Sequence, residues 1–346
     1  IDAVKDITND MSSDSRMHRL LQGDVGSGKT LVALLCMLHA IEAGAQAVLL
    51  APTEILARQH LATIEPLVTP IGVKVSLLTG RDKGKKRERI LQNLAEGKIN
   101  IAIGTHAIFQ EGVNFKTLAF AVIDEQHRFG VHQRLALTSK GYNVDILVMT
   151  ATPIPRTLTL TAYGDMEVSR LIEKPSGRIP IDTRTISIHR IEEIIKGLKS
   201  ALNKNKKVYW VCPLVEESEK LDLAAAEDRF EHLKSVFGKK VGLVHGKMQA
   251  TDKDTSMDAF KNGDVDILVA TTVIEVGVDV PEASIMIIEH AERFGLAQLH
   301  QLRGRIGRGS DKSTCILMFT KNLTEMARKR LEIMRKTEDG FIISEE

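Results

Sequence analysis

The stretch "GDVGSGKT", Gly23 to Thr30, decides how the rest of the chain reads. It fits the pattern G-x-x-x-x-G-K-[ST] at every fixed position. Gly23, Gly26 and Gly28 permit backbone angles at which successive N–H groups turn inward on an anion. Asp24, Val25 and Ser27 lie between them and belong to the same cradle. Lys29 brings a mobile positive charge suited to the β- and γ-phosphates of a nucleotide, and the Thr30 hydroxyl is suited to Mg²⁺. The apolar helix that follows, "LVALLCMLHAIEAG", aims its amino terminus at the same phosphates. A glycine-rich turn that matches by chance is the plain alternative, and the helix directly after it weighs against that.

Outward from this loop, short apolar runs recur between helical stretches. They are "AVLLAP" (Ala47 to Pro52), "VKVSLL" (Val73 to Leu78), "INIAIG" (Ile99 to Gly104), "AFAVID" (Ala119 to Asp124) and "DILVMT" (Asp145 to Thr150). Such runs suit strands buried on both sides in a parallel sheet with crossover helices. The rhythm repeats later in "TRTISI", "KVYWVC", "VGLVHG", "DILVATT", "IMIIEH" and "TCILMF". Between the two sets lies "EKPSGRIPID" (Glu173 to Asp182), where two prolines and a glycine mark the best linker. The expectation is an α/β chain of two tandem parallel-sheet domains, residues 1–176 and 177–346, of which only the first carries the phosphate loop. Domains of roughly 100–200 residues agree with that division.

Composition narrows the class. A hydrophobic content of 43% with 27% charged residues is ordinary for a globular chain. Aromatics at 4% argue against a nucleic-acid binder built from stacking platforms, and a net charge of +2 confines any such contact to local patches. Cys36, Cys212 and Cys315 are far apart, without metal or disulfide spacing, and read as small buried residues in a reducing cytosol. No apolar run reaches membrane-spanning length. The charge run "RDKGKKRER" (Arg81 to Arg89) reads first as a solvated helical face. The start at Ile1, in what looks like mid-helix, suggests a fragment of something longer.

In "AFAVIDEQHRFG" an apolar strand runs straight into two carboxylates. Asp124, at a strand's carboxyl end beside a phosphate loop, is placed to hold Mg²⁺. Glu125 is the candidate to orient and deprotonate an attacking water. A common acidic turn is the plain alternative, but together with the loop the pair points to an ATP hydrolase.

At "DEQH" the chain begins to resemble superfamily-two helicases. The blocks "RLLQGDVGSGKT", "APTEILARQH", "GTHAIFQ", "DEQHRFGVHQR", "MTATPIPRTL", "LVATTVIEVGVDVP" and "HAERFGLAQLHQLRGRIGRG" follow the order of the RecG family of bacterial DNA helicases and span nearly the whole chain. Transcription-repair coupling factors are similar in several blocks but usually carry DEEH, so Gln126 favours the RecG family. The resemblance implies two RecA-like domains with helices on both faces, and ATP and Mg²⁺ as cofactors. It implies branched or double-stranded DNA as partner, with single-stranded DNA-binding protein as a further one. A monomer in the bacterial cytoplasm, at the nucleoid and away from membranes, is expected.

The same resemblance distributes roles. Pro52, Thr53 and Arg58 in "APTEILARQH", and Thr105 and His106 in "GTHAI", would take a strand's phosphates, although helix capping explains such residues equally. Gln126 and His127, with Thr150, Ala151 and Thr152, would couple nucleotide state to domain movement. Thr271 and Thr272 would lie near nucleic-acid backbone, and Gly277 and Asp279 would face the nucleotide, Asp279 accepting from ribose hydroxyls. His245 is left as structural.

The block "HQLRGRIGRG" (His300 to Gly309) carries three arginines. On a helix, spacings of four and three put Gln301, Arg305 and Arg308 on one face and turn Arg303 elsewhere. The shared face resembles the family's arginine-finger block. A guanidinium that stabilises a γ-phosphoryl transition state contributes roughly 10³–10⁵ in rate in other nucleotide hydrolases. Arg303 is left to a DNA contact or to neither role.

The expected activity is ATP-driven remodelling of branched DNA. A coupling-factor-like translocase motor, an RNA helicase and a nucleotide-switched clamp are the alternatives. The family's wedge domain, its adenine-reading segment and the segment coupling hydrolysis to translocation are expected to lie outside this chain. The chain alone is therefore expected to reverse forks poorly. If Lys29 serves the phosphates, Lys29→Ala abolishes ATP hydrolysis while DNA binding, measured by fluorescence anisotropy, largely survives.

Overall fold

The computed structural model describes residues 2–125, 140–141, 143–151, 166–173, 179–213, 219–271, 280, 282–307, 309 and 312–345. The chain divides into two compact units, Ile1–Glu173 and Lys174–Glu346, a few residues ahead of the expected boundary. Residues 174–178 of the expected linker lie outside the described residues.

In the first unit the elements run α1 (Asp2–Met11), β1 (His18–Gly23), α2 (Lys29–Glu42), β2 (Gln46–Leu50), α3 (Glu54–Val68), β3 (Val75–Leu78) and α4 (Gly84–Ala95). They continue with β4 (Ile101–Gly104), β5 (Leu118–Asp124), β6 (Asp145–Thr150) and β7 (Glu167–Leu171). The seven strands form one parallel sheet in the order β3-β4-β2-β5-β6-β1-β7.

Alternate side chains explain why the central strands are apolar throughout. Leu21, Leu49, Ile101, Ile103, Phe120, Val122 and Leu147 pack on one face, with Ala3 and Ile7 of α1, Met37 of α2 and Ile64 of α3. Leu20, Val48, Leu50, Ala102, Ala121, Ile123 and Val148 pack on the other, with Leu94 of α4. Both faces are covered by helices, as a parallel sheet requires.

Two strands, β1 and β7, escaped the sequence reading because neither is an apolar run. Arg19 of β1 is only 8% exposed, yet its Nε donates to Asp10 Oδ2 at 2.7 Å and its Nη1 to Ser169 Oγ of β7 at 2.9 Å. Tertiary partners, invisible in a local pattern, make that burial tolerable. The charge run behaves as expected: α4 buries Leu94 and leaves Lys85, Lys86 and Arg89 exposed, with Lys86 Nζ 2.7 Å from Asp82.

The second unit contains β8 (Asp182–Ser187), α5 (Ile191–Leu202), β9 (Lys207–Val211), α6 (Glu219–Phe237), β10 (Val241–Val244) and α7 (Ala250–Asn262). It continues with β11 (Ile267–Ala270), β12 (Ala283–Ile288), α8 (Leu296–Arg303), β13 (Thr314–Phe319), α9 (Glu325–Lys336) and α10 (Gly340–Glu345). Its six strands are also all parallel, in the order β10-β11-β9-β12-β13-β8. Val208, Trp210, Ile267, Val269, Ile287 and Met318 pack against Ile194, Ile195, Leu198 and Leu202 of α5 and Leu233 of α6. On the opposite face Tyr209 meets Phe260 of α7, with ring centroids 5.0 Å apart.

The three cysteines are buried, and burial pushes the Cys36 and Cys315 thiols up to about 12. Among the described residues no helix is long and apolar enough to cross a membrane.

Arg303 shows what part of the basic block does. It is 2% exposed; its Nη1 donates to Met334 O at 2.6 Å and Thr337 O at 3.0 Å, capping the carboxyl end of α9. A DNA contact by this guanidinium is thereby ruled out. Removing a buried charged donor orphans those carbonyls, so Arg303→Leu should lower unfolding stability by roughly 3 kcal/mol. Chemical denaturation of the variant measures it.

Candidate active site

β1 ends at Gly23, where there is no room for a side chain. A Cβ on Gly23 would lie 2.4 Å from Ser27 Oγ and 2.9 Å from Leu171 Cβ. Gly26 and Gly28 have φ of 84° and 90°, which only glycine adopts at little cost. Gly28 is the left-handed residue that opens α2. A Cβ there would meet nothing within 4 Å, so it is the backbone angle and not crowding that calls for glycine. Lys29 Nζ donates to Gly23 O at 2.6 Å and Asp24 O at 2.9 Å, which holds the ammonium over the loop. Ser27 Oγ is buried without a hydrogen-bond partner among the described residues.

Register brings the carboxylates to the same edge. β5 pairs with β6 so that Asp124 lies opposite Met149, and β6 pairs with β1 so that Thr150 lies opposite Gln22. Gly23, Asp124 and Thr150 therefore all stand at strand carboxyl ends, where open parallel sheets bind ligands. Asp124 is 8% exposed, and its Oδ2 lies 2.8 Å from Nε2 of His60 on α3.

Glu125 has a φ of 51°, a left-handed conformation that costs a side-chain-bearing residue energy. It is fixed from both ends. Its N–H donates to Met149 O at 2.9 Å, and its Oε1 accepts from the Ala151 N–H at 3.2 Å. The residue expected to activate water is thus bonded directly to the segment expected to couple nucleotide state to movement. No sequence pattern indicated that contact.

The residues fit ATP with Mg²⁺. The loop carries the Lys29 ammonium, and an orphaned hydroxyl, Ser27 Oγ, lies within it. Thr30 and Asp124 offer the hard oxygen donors Mg²⁺ takes. Among the described residues no group of three or more His, Cys, Asp or Glu could hold a metal.

The expected strand contacts divide. Arg58 and His106 are exposed, and Pro52 and Thr53 are half-buried. Thr53 Oγ1 accepts from Leu56 N at 3.3 Å, so this hydroxyl also caps α3. Thr105 is 3% exposed and Thr271 fully buried, and among the described residues neither hydroxyl has a hydrogen-bond partner.

The helix expected to carry Gln301, Arg305 and Arg308 on one face ends early. α8 stops at Arg303, Gly304 closes it, and the Arg305 N–H bonds to Leu302 O at 2.9 Å in a tight turn. Gly307 then takes φ of 75°, which ends helical geometry before residue 308. Gln301 and Arg305 are half-buried, on the last turn of the helix and in the turn after it. Gln126, His127, Thr152, Thr272, Gly277, Asp279 and Arg308 lie outside the described residues. His60 was missed because its block was read only for strand contacts.

The sequence model of the DEAD/DEAH box helicase family matches residues 3–161, and that of the helicase conserved C-terminal domain matches residues 188–310. ATP-dependent DNA helicase RecG of Haemophilus influenzae is 52% identical over 348 residues, covering 99% of this chain and 50% of the relative. The RecG protein of Escherichia coli strain K12 is 51% identical with the same coverage. The chain thus spans about half the length of the curated relatives it matches. A solved RecG structure bound to a three-way DNA junction superposes with a TM-score of 0.84 at 44% identity, covering 100% of this chain and 46% of that one. Dbp5 of S. cerevisiae, at 17% identity and a TM-score of 0.70, shares the fold alone.

The geometry at Glu125 makes a direct prediction. Glu125→Gln keeps an oxygen for the Ala151 N–H but loses the base, so hydrolysis should fall by roughly 10²–10⁴. Binding of a fluorescent ATP analogue should be retained. With both helicase domain models matched in order, and half the residues shared with RecG proteins from end to end, the chain belongs to the RecG family of DNA helicases.

Proposed function

We propose that this chain is the ATP-driven motor half of a DNA helicase that remodels branched DNA, such as stalled forks and Holliday junctions, in recombination and repair. The observation that carries the reading is the convergence of Lys29, Asp124 and Glu125 at one sheet edge, with Glu125 bonded to the Ala151 N–H at 3.2 Å. Support for branched DNA comes from the related RecG protein solved on a three-way junction.

In this reading Lys29 and the loop N–H groups bind the β- and γ-phosphates, while Thr30 and Asp124 hold Mg²⁺. Bound Mg²⁺ supplies charge neutralisation at the phosphates. Glu125 takes a proton from the attacking water through its carboxylate. Its second partner, Ala151, then feels whether that carboxylate is engaged, which gives Thr150, Ala151 and Thr152 their coupling role with Gln126 and His127. Gln301, Arg305 and Arg308 are the candidates from the second unit for the transferring phosphoryl group, and Gly277 and Asp279 for the nucleotide. Pro52, Thr53, Arg58, Thr105 and His106 take strand phosphates, with Thr271 and Thr272 as the candidates in the second unit.

A monomer at the bacterial nucleoid, working beside single-stranded DNA-binding protein, completes the proposal. The coupling-factor alternative is not favoured, since RecG proteins match 99% of the chain at 52% and 51% identity. Backbone gripping releases counterions, so DNA affinity should fall on the order of 10³-fold between 50 and 200 mM salt, whatever the sequence. In the whole protein, ATP hydrolysis should be stimulated more by a three-way junction than by linear duplex of equal length. Equal stimulation by both would count against branched-DNA remodelling, and preference for RNA would point to an RNA helicase.

A further inference from the structure

His60 has no part in the reading above. It stands on the buried face of α3, in the series Ala57, His60, Ile64 and Val68, where its neighbours in the series are apolar or small. An aliphatic residue would serve packing at such a position. The structure instead holds an imidazole there, 8% exposed, with Nε2 2.8 Å from Asp124 Oδ2. Among the described residues no other hydrogen bond reaches the Asp124 carboxylate, so Oδ1 is left to other ligands.

We propose that His60 is a positioning residue for Mg²⁺. Its ring N–H holds Oδ2, fixes the plane of the carboxylate and leaves Oδ1 directed to the ion. The proposal rests on Asp124 being the metal carboxylate. The physical case is that a carboxylate ligand rotates about its terminal torsion unless one oxygen is restrained. An outer partner that supplies such restraint typically changes metal affinity by roughly 10–100-fold when removed. Because the restraint comes from α3, the helix capped by Thr53 and carrying Arg58, the position of that helix sets the orientation of the metal ligand.

The test is a Mg²⁺ titration of fluorescent ATP-analogue binding to the whole protein, so that the readout is independent of turnover. His60→Ala should raise the Mg²⁺ concentration at half-saturation by roughly 10–100-fold and leave metal-free nucleotide binding unchanged. His60→Gln should recover most of that loss, because its Nε2 is the same number of bonds from Cα as the histidine Nε2. His60→Asn, whose amide nitrogen is one bond shorter, and His60→Leu should not. Recovery by His60→Leu as complete as by His60→Gln would overturn the proposal, since the ring would then only fill space. If His60→Ala fails to fold, the comparison of the Leu and Gln variants still decides. Asp124→Asn separates the two levels of the argument. A shifted Mg²⁺ dependence in Asp124→Asn with none in His60→Ala overturns the role of His60 alone. No shift in Asp124→Asn overturns the metal assignment beneath it.

Discussion

The site depends on the pairing of β1, a strand between β6 and β7 whose carboxyl end has no room for a side chain. Both neighbours matter. β7 places Leu171 against Gly23, which sets the floor of the loop, and β6 places Thr150 level with Gln22. Gln22 is fully buried, and its amide has no hydrogen-bond partner among the described residues. The next strand over, β5, then brings Asp124 and Glu125 level with the same edge. A slip of one residue of β5 against β6 would turn Asp124 to the opposite face of the sheet.

Polar residues in the interior do the remaining positioning, each through partners far away in sequence. Arg19 ties β1 to α1 and β7. Gln46 uses both ends of its amide, donating to Leu94 O and Ile99 O and accepting from the N–H groups of Lys116 and Thr117. In the second unit Glu289 accepts from Trp210 Nε1 and Arg229 Nε, so a buried carboxylate is paired with a cation. Buried groups of this kind cost stability unless every bond is made. Arg303 belongs with them and not with the nucleotide.

Much of the fold was legible because both faces of each sheet are covered, so central strands such as "AFAVID" and "DILVMT" are apolar between their polar ends. β1 and β7 were not legible, since their burial relies on Arg19 and Ser169 satisfying each other at 2.9 Å across 150 residues. In the site, the loop glycines and the two acidic residues could be read from spacing because their chemistry is local. The helical face drawn through Gln301, Arg305 and Arg308 could not, because Gly304 and Gly307 end the helix that the spacing assumed.

The sequence by itself determined the chemistry available: a glycine loop with Lys29 and Thr30, carboxylates after an apolar strand, and the helicase blocks in order. Those features are set by residue type at short spacing, where φ freedom, charge and periodicity act within a few residues. Only the tertiary structure decided which polar groups face the site and which sustain the core. It bonded Glu125 to Ala151, set His60 against Asp124 and buried Arg303 beneath α9. Those outcomes depend on strand register and helix placement, which are fixed by contacts between residues far apart in the chain.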